Sequence, residues 1–156
     1  MNKSLEIILN FRRILLSRIE SLTTEQLNAI PVSYNNNIIW NLAHMNAVMQ
    51  NLCYTCSGLP ITIDEKYFQR FMPLTKPEGF IGDAEVLVIK TELISSVEKL
   101  NKDLEDGIFQ SYTEVERIRR VYNIGVSSID DAIRYTTHHE GIHFNAVLNM
   151  KRMLGL

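Results

Sequence analysis

Residues 127–156 read SSIDDAIRYTTHHEGIHFNAVLNMKRMLGL, and their periodicity decides the fold. Ala132, Tyr135 or Thr136, His139, His143, Ala146 or Val147, Met150 and Leu154 recur at three- and four-residue spacing. That is the pattern of one helix face turned toward a core. Ser127 followed three residues later by Asp130 is a helix-start signature. The stretch predicts a helix of roughly 28 residues, about 42 Å long at 1.5 Å per residue.

Three further helical patterns precede it. The first covers about Asn2 to Leu22, with Leu5, Ile8, Leu9, Arg12, Leu15, Leu16 and Ile19 on one face, and is broken by Thr23, Thr24 and Pro31. The second follows Asn35-Asn36-Asn37, whose side chains suit an N-cap, and ends at Gly58-Leu59-Pro60. So many of its residues are apolar, from Ile38 through Trp40 and Met45 to Leu52, that burial on more than one side is expected. The third is expected from Asp83, as its cap, to about Leu104. Between the second and third lies a long loop, with room for a short helix near Asp64–Arg70, because Pro60, Pro73, Pro77, Gly79 and Gly82 crowd residues 59–82. Residues 107–125 are expected to be irregular or weakly extended. No hairpin signal is present. Four long helices and one core predict an all-α four-helix bundle in a single domain over residues 1–156.

The totals exclude several classes of function. The chain has 16 basic and 18 acidic residues and a net charge of −2, which is no footprint for nucleic acid. Its densest basic run, Arg117 to Arg120, follows Glu114 and Glu116 and reads as a solvated mixed-charge surface. No apolar stretch approaches bilayer length. The first residues read as an amphipathic helix rather than a signal peptide. Two cysteines are too few for a disulfide framework, and a cytoplasmic location is the simplest expectation.

The chemistry-bearing residues are His44 and the pair His139 and His143. At i and i+4 on a helix the pair projects to one side, one turn apart. His44 shares its stripe with Trp40, Ala47 and Val48. Three buried imidazoles without partners are costly, and a shared divalent metal answers that cost while each second ring nitrogen donates elsewhere. Three protein ligands also leave coordination positions open for chemistry. His138 points about 100° from His139 and is read as a surface or supporting residue.

His139-Glu140-Gly141-Ile142-His143 also fits the zinc-protease pattern H-E-x-x-H. Those enzymes take a third ligand from downstream, and residues 144–156 contain no histidine or glutamate. The protease reading is therefore rejected. Glu140 is the candidate catalytic residue, orienting a ligand or taking a proton, against the alternative of a solvent-facing or capping acid. Cys53 and Cys56 form a C-x-x-C inside the second helical pattern. They read as buried small residues, since Cys56 lies about 18 Å along the axis from His44 and cannot ligate the same ion.

The block Asn37-Ile38-Ile39-Trp40-Asn41-Leu42-Ala43-His44, the loop Thr75-Lys76-Pro77, and His138-His139-Glu140-Gly141-Ile142-His143 with the apolar helix after it resemble the DinB-like metalloproteins. The resemblance covers nearly the whole chain. It implies a bundle of up-down-down-up connectivity, often a homodimer, and a divalent metal, usually zinc or nickel, on His44, His139 and His143. Characterised relatives include thiol S-transferases that use bacillithiol or mycothiol and mycothiol-dependent isomerases, and the family is also related to proteins assigned as metal-dependent hydrolases. The expectation is therefore a metal-dependent enzyme acting on a small molecule, of transferase or hydrolase type, with a low-molecular-weight thiol as candidate co-substrate. The alternative is a non-catalytic bundle whose metal is structural or whose site is vestigial. No nucleic-acid or membrane partner is expected.

Overall fold

Fifteen of the sixteen residues of one helix, Ile38–Cys53, are buried, and the rest of the molecule is arranged around it. The computed structural model describes residues 1–156 as seven α-helices and no strands: α1 (Lys3–Arg18), α2 (Thr24–Asn28), α3 (Ile38–Cys53), α4 (Glu65–Arg70), α5 (Asp83–Glu105), α6 (Glu116–Tyr122) and α7 (Ile129–Met153). The long helices α1, α3, α5 and α7 form the bundle. Both α1 and α3 pack against α5 and α7, so α1 and α3 are diagonal, as are α5 and α7. The short α2 and α4 cover the outer side of α3, which is why α3 is apolar almost all round. No helix is long and apolar enough to cross a membrane.

Side-chain registers fix the helix directions. Arg12 meets Glu140, and Lys151 donates to the Arg18 carbonyl, so α1 and α7 run the same way. Asn41 meets His143 and Met150, whereas His44 lies beside His139, so α3 opposes α7. Ser96 donates to Asn46 and Tyr54 to Asp103, so α5 runs with α3.

Local chemistry sets the boundaries. Asn37 caps α3 by accepting from the Trp40 N–H, and Ser128, one residue after the expected Ser127, caps α7 by accepting from the Asp131 N–H. Asp64 caps α4. At three further boundaries the structure departs from the sequence expectation. The first helix stops at Arg18, and a capping box between Thr23 and Gln26 opens a separate short α2 within the expected breaker region. Asp83 is the first residue of α5 rather than its cap; its carboxylate instead accepts from the Thr24 hydroxyl. Residues 116–122, expected to be irregular, form α6, because Ile118 and Val126 bury their side chains in the core beside it.

The core consists of two apolar clusters. One gathers Leu15, Trp40, Phe71, Leu93, Val147 and Met150; the other gathers Ile8, Met49, Leu52, Val97 and Ile133. Between them lies a polar layer. Arg12, fully buried, donates from Nε and Nη2 to the two carboxylate oxygens of Glu140 at 3.0 and 2.6 Å. It also donates to the carbonyls of Leu93 and Met45 at 2.9 and 3.3 Å. One guanidinium thereby ties all four long helices together. This corrects the expected inner stripe of α7. Ala132, Ile133, Thr136, Glu140, Val147 and Met150 are its buried residues, and the two histidines flank that line, only partly buried.

Candidate metal centre

His44 lies on the second turn of α3, and α7 supplies His139 and His143 one turn apart. Because α3 and α7 are antiparallel neighbours, the lone ring arrives between the pair. Ring centroids are 5.2 Å apart for His44 and His139, 4.7 Å for His44 and His143, and 4.4 Å for His139 and His143. One nitrogen from each ring lies within 4.8 Å of the others. These three residues were singled out in the sequence, and the fold brings them together.

The rings are oriented from behind. His44 Nδ1 is 2.6 Å from the Phe71 carbonyl oxygen. A carbonyl only accepts, so Nδ1 carries the proton and Nε2 keeps its lone pair. His143 Nδ1 is 2.8 Å from Asn41 Oδ1. The Asn41 amide is itself fixed, since its Nδ2 donates to the Asn37 carbonyl at 2.7 Å and to Asn36 Oδ1 at 3.2 Å. Its oxygen is therefore the atom that faces His143, and Nε2 of that ring is free as well. Trp40 stacks on His44, with centroids 4.5 Å apart and planes 13° from parallel. His139 has no such support: its buried Nδ1 meets no partner. The protein leaves that ring's polar needs open, which fits a cation shared by the three rings.

Electrostatics keep the rings neutral. Burial lowers the pKa of all three. His143 falls to about 4, through desolvation and then the nearby His44 ring. His139 falls to about 2, through desolvation and then His143, His44 and Arg12. His44 is lowered by burial against an opposing contribution from the Phe71 carbonyl. Neutral imidazole is the form that ligates a metal.

The rings open into a pocket of about 470 Å³, walled by Val48, Leu52, Ile118, Tyr122 and Tyr135 and by Met72 and Pro73 of the loop after α4. Thr75 fastens that loop by donating to the carbonyls of Arg70 and Met72. No aspartate or glutamate lines the pocket. A cavity of about 430 Å³ at Ile14, Phe144 and Leu148 contains none of the three rings.

Glu140 follows His139 in the chain but turns the other way. It is 1% exposed and engaged by Arg12. It is neither the solvent-facing nor the capping acid of the alternative reading, and the carboxylate oxygens proposed for proton transfer are taken up in the core. Arg117, read as part of a solvated charged surface, is exposed and also borders the pocket, whereas Arg119 pairs with Glu114. His138 is exposed. Cys53 is buried, Cys56 partly so, and both are free thiols. The supporting groups not foreseen from the sequence are Arg12, Asn41 and the Phe71 carbonyl. Arg12 had a visible signal, a cation within an apolar stripe; a backbone carbonyl has none.

No curated protein and no solved structure matches the chain. The sequence model of the DinB superfamily matches residues 8–147, a span that includes α3 whole, all three histidines, Asn41, Arg12 and Glu140. An all-helical bundle with His44, His139 and His143 gathered between α3 and α7 belongs, on that match, to the DinB superfamily.

Proposed function

We propose that the protein is a divalent-metal-dependent enzyme that acts on a small molecule, by thiol S-transfer or hydrolysis. The observation that carries this reading is the convergence of three imidazoles, two with their tautomers set by carbonyl acceptors, at the wall of an open pocket. Structural zinc sites close with four protein ligands, whereas three leave room for an outside molecule. A pocket of about 470 Å³ suits a small molecule. Imidazole donors serve several first-row ions, with zinc and nickel foremost by family resemblance. A divalent cation held by His44, His139 and His143 supplies Lewis acidity, lowering the pKa of a thiol or a water molecule brought to it.

The chain's own residues do the remaining work. The Phe71 carbonyl and Asn41 hold two rings in their ligating tautomer, and Trp40 restrains His44 from one face. Val48, Leu52 and Ile118 keep water from one side of a bound molecule. With Glu140 committed to Arg12 and no carboxylate on the walls, the reading assigns no carboxylate general base.

Elemental analysis of the purified protein, before and after zinc or nickel is offered, tests the proposal. Wild type is expected to hold about one ion per chain. His44→Ala and His143→Ala are expected to keep their helical circular dichroism and lose the ion. Wild type that takes up no metal from either salt overturns the reading. With cobalt in the site, a thiol that changes the visible spectrum favours S-transfer over hydrolysis.

A further inference from the structure

The pocket that holds the three histidines is also bordered by a cation. Among its lining residues Arg117 alone has a permanent charge. None of the chain's ion pairs includes Arg117, and no hydrogen bond holds its guanidinium. Its backbone is nevertheless pinned, although the side chain itself is exposed. The next residue, Ile118, is buried in the core, and Arg119 ties α6 to Glu114. A free guanidinium on an anchored helix therefore borders an apolar and phenolic cavity that the three histidines also line.

Charge balance defines what this pocket accepts. A divalent ion on three neutral rings adds two positive charges, Arg117 adds one, and the walls contribute no anion. Arg117 is exposed at the edge of the pocket, and the positive potential that it and a bound cation would create there favours an anionic ligand. A guanidinium offers a planar fork that matches a carboxylate in two parallel hydrogen bonds. No lysine or second arginine lines the cavity, so one negative charge suits Arg117 better than the two of a phosphate ester. The aromatic rings of Tyr122 and Tyr135, 6.2 Å apart, and Ile118 provide surface for the apolar body of a ligand.

We propose that the small molecule bound here is bifunctional, with a donor group that joins the cation at the histidines, a carboxylate that pairs with Arg117, and an apolar segment lying on Tyr122, Tyr135 and Ile118. The donor end rests on the metal-enzyme reading above; the carboxylate end does not.

The test uses the intact protein loaded with cobalt and a series of ω-mercaptocarboxylates of increasing length, each compared with its neutral amide. Binding is followed by the visible spectrum of the cobalt and by the fluorescence of Trp40, the only tryptophan, which stacks on His44. For at least one length the acid is expected to bind about tenfold or more tighter than the amide, the scale of one charge-assisted hydrogen-bonded pair. Arg117→Ala is expected to reduce that preference to about twofold or less while leaving amide binding and cobalt affinity unchanged, and Arg117→Lys to keep part of it. Equal binding of acid and amide at every length overturns the proposal, as does a preference that survives Arg117→Ala. Tighter binding of phenyl phosphate than of 3-phenylpropionate counts against the single-charge assignment. A protein that takes up no cobalt defeats the metal-enzyme reading alone. In that case 3-phenylpropionate against 3-phenylpropionamide, titrated on the metal-free protein through Trp40 and repeated with Arg117→Ala, decides the carboxylate end by itself.

Discussion

Arg12 and Glu140, 128 positions apart in the chain, face each other between the two apolar clusters of the core, with Nη2 2.6 Å from Oε1. The pair joins the first long helix to the last beside the helix turn that carries His139. Its role is to set that helix against the bundle, and the consequences are measurable.

Truncating one partner leaves the other charge buried and uncompensated, which typically costs about 3–5 kcal/mol. Glu140→Ala is expected to lower unfolding free energy by that amount in urea titrations of the metal-free protein. Glu140→Gln, which keeps hydrogen-bond acceptance, should cost less. A loss under about 1 kcal/mol for the alanine variant, the scale of an exposed pair, would contradict the buried arrangement.

Asn41 holds His143 from the side away from the pocket. Removing such a supporting group commonly weakens metal affinity about 10- to 100-fold. Asn41→Ala is expected to fall in that range for zinc in a chelator competition. Unchanged affinity would mean that the His143 ring needs no support.

Asn37 separates stability from site chemistry. Its side chain caps α3 and donates to the Asn28 carbonyl, but its link to Asn41 runs through its backbone oxygen. Asn37→Ala is therefore expected to cost about 1–2 kcal/mol of stability and to leave zinc affinity within about threefold of wild type, below the range typical of lost supporting groups. An affinity loss as large as that of Asn41→Ala would show that the cap also sets the site.

The pH dependence follows from the neutral histidines. In the folded metal-free protein His143 titrates near 4 and His139 near 2, below the ordinary value of 6.5. Below pH 6.5 the unfolded chain takes up protons that the folded chain refuses, so stability falls. It is expected to be level above about pH 6.5 and to decline as pH drops toward 4, with the His139 contribution still declining below that. The double variant His139→Gln, His143→Gln should show a shallower decline between pH 6.5 and 4. Denaturation midpoints at a series of pH values check this; parallel curves for the two proteins would refute it.

The histidine pair was legible because i, i+4 spacing is a local property of a helix, and His44 because it sits in an apolar run beside Trp40. The helix starts near Asn37 and Asp64 were equally visible, since a cap and the N–H it satisfies lie within three residues, and the start of α7 was visible to within one residue, its capping pair being Ser128 and Asp131 rather than Ser127 and Asp130. Glu140 shows where such reasoning stops. Its place in the sequence, next to His139, suggested the site, yet a turn of about 100° per residue points it toward Arg12 instead. Residues 116–122 lacked a long periodic pattern, so the helix that carries Arg117 was missed; it forms because Ile118 finds a place in the core.

Local spacing and hydrophobic period thus determined that the chain makes four long helices, where most of them begin, and which imidazoles can share a face. Tertiary structure alone decided which acid sits in the core, which carbonyl and amide fix the tautomers of His44 and His143, and which arginine borders the pocket. The physical reason is that periodicity records how a helix divides water from apolar surroundings, whereas hydrogen-bond partners 27, 102 and 128 positions apart are chosen only when packed helices bring them within about 3 Å of each other.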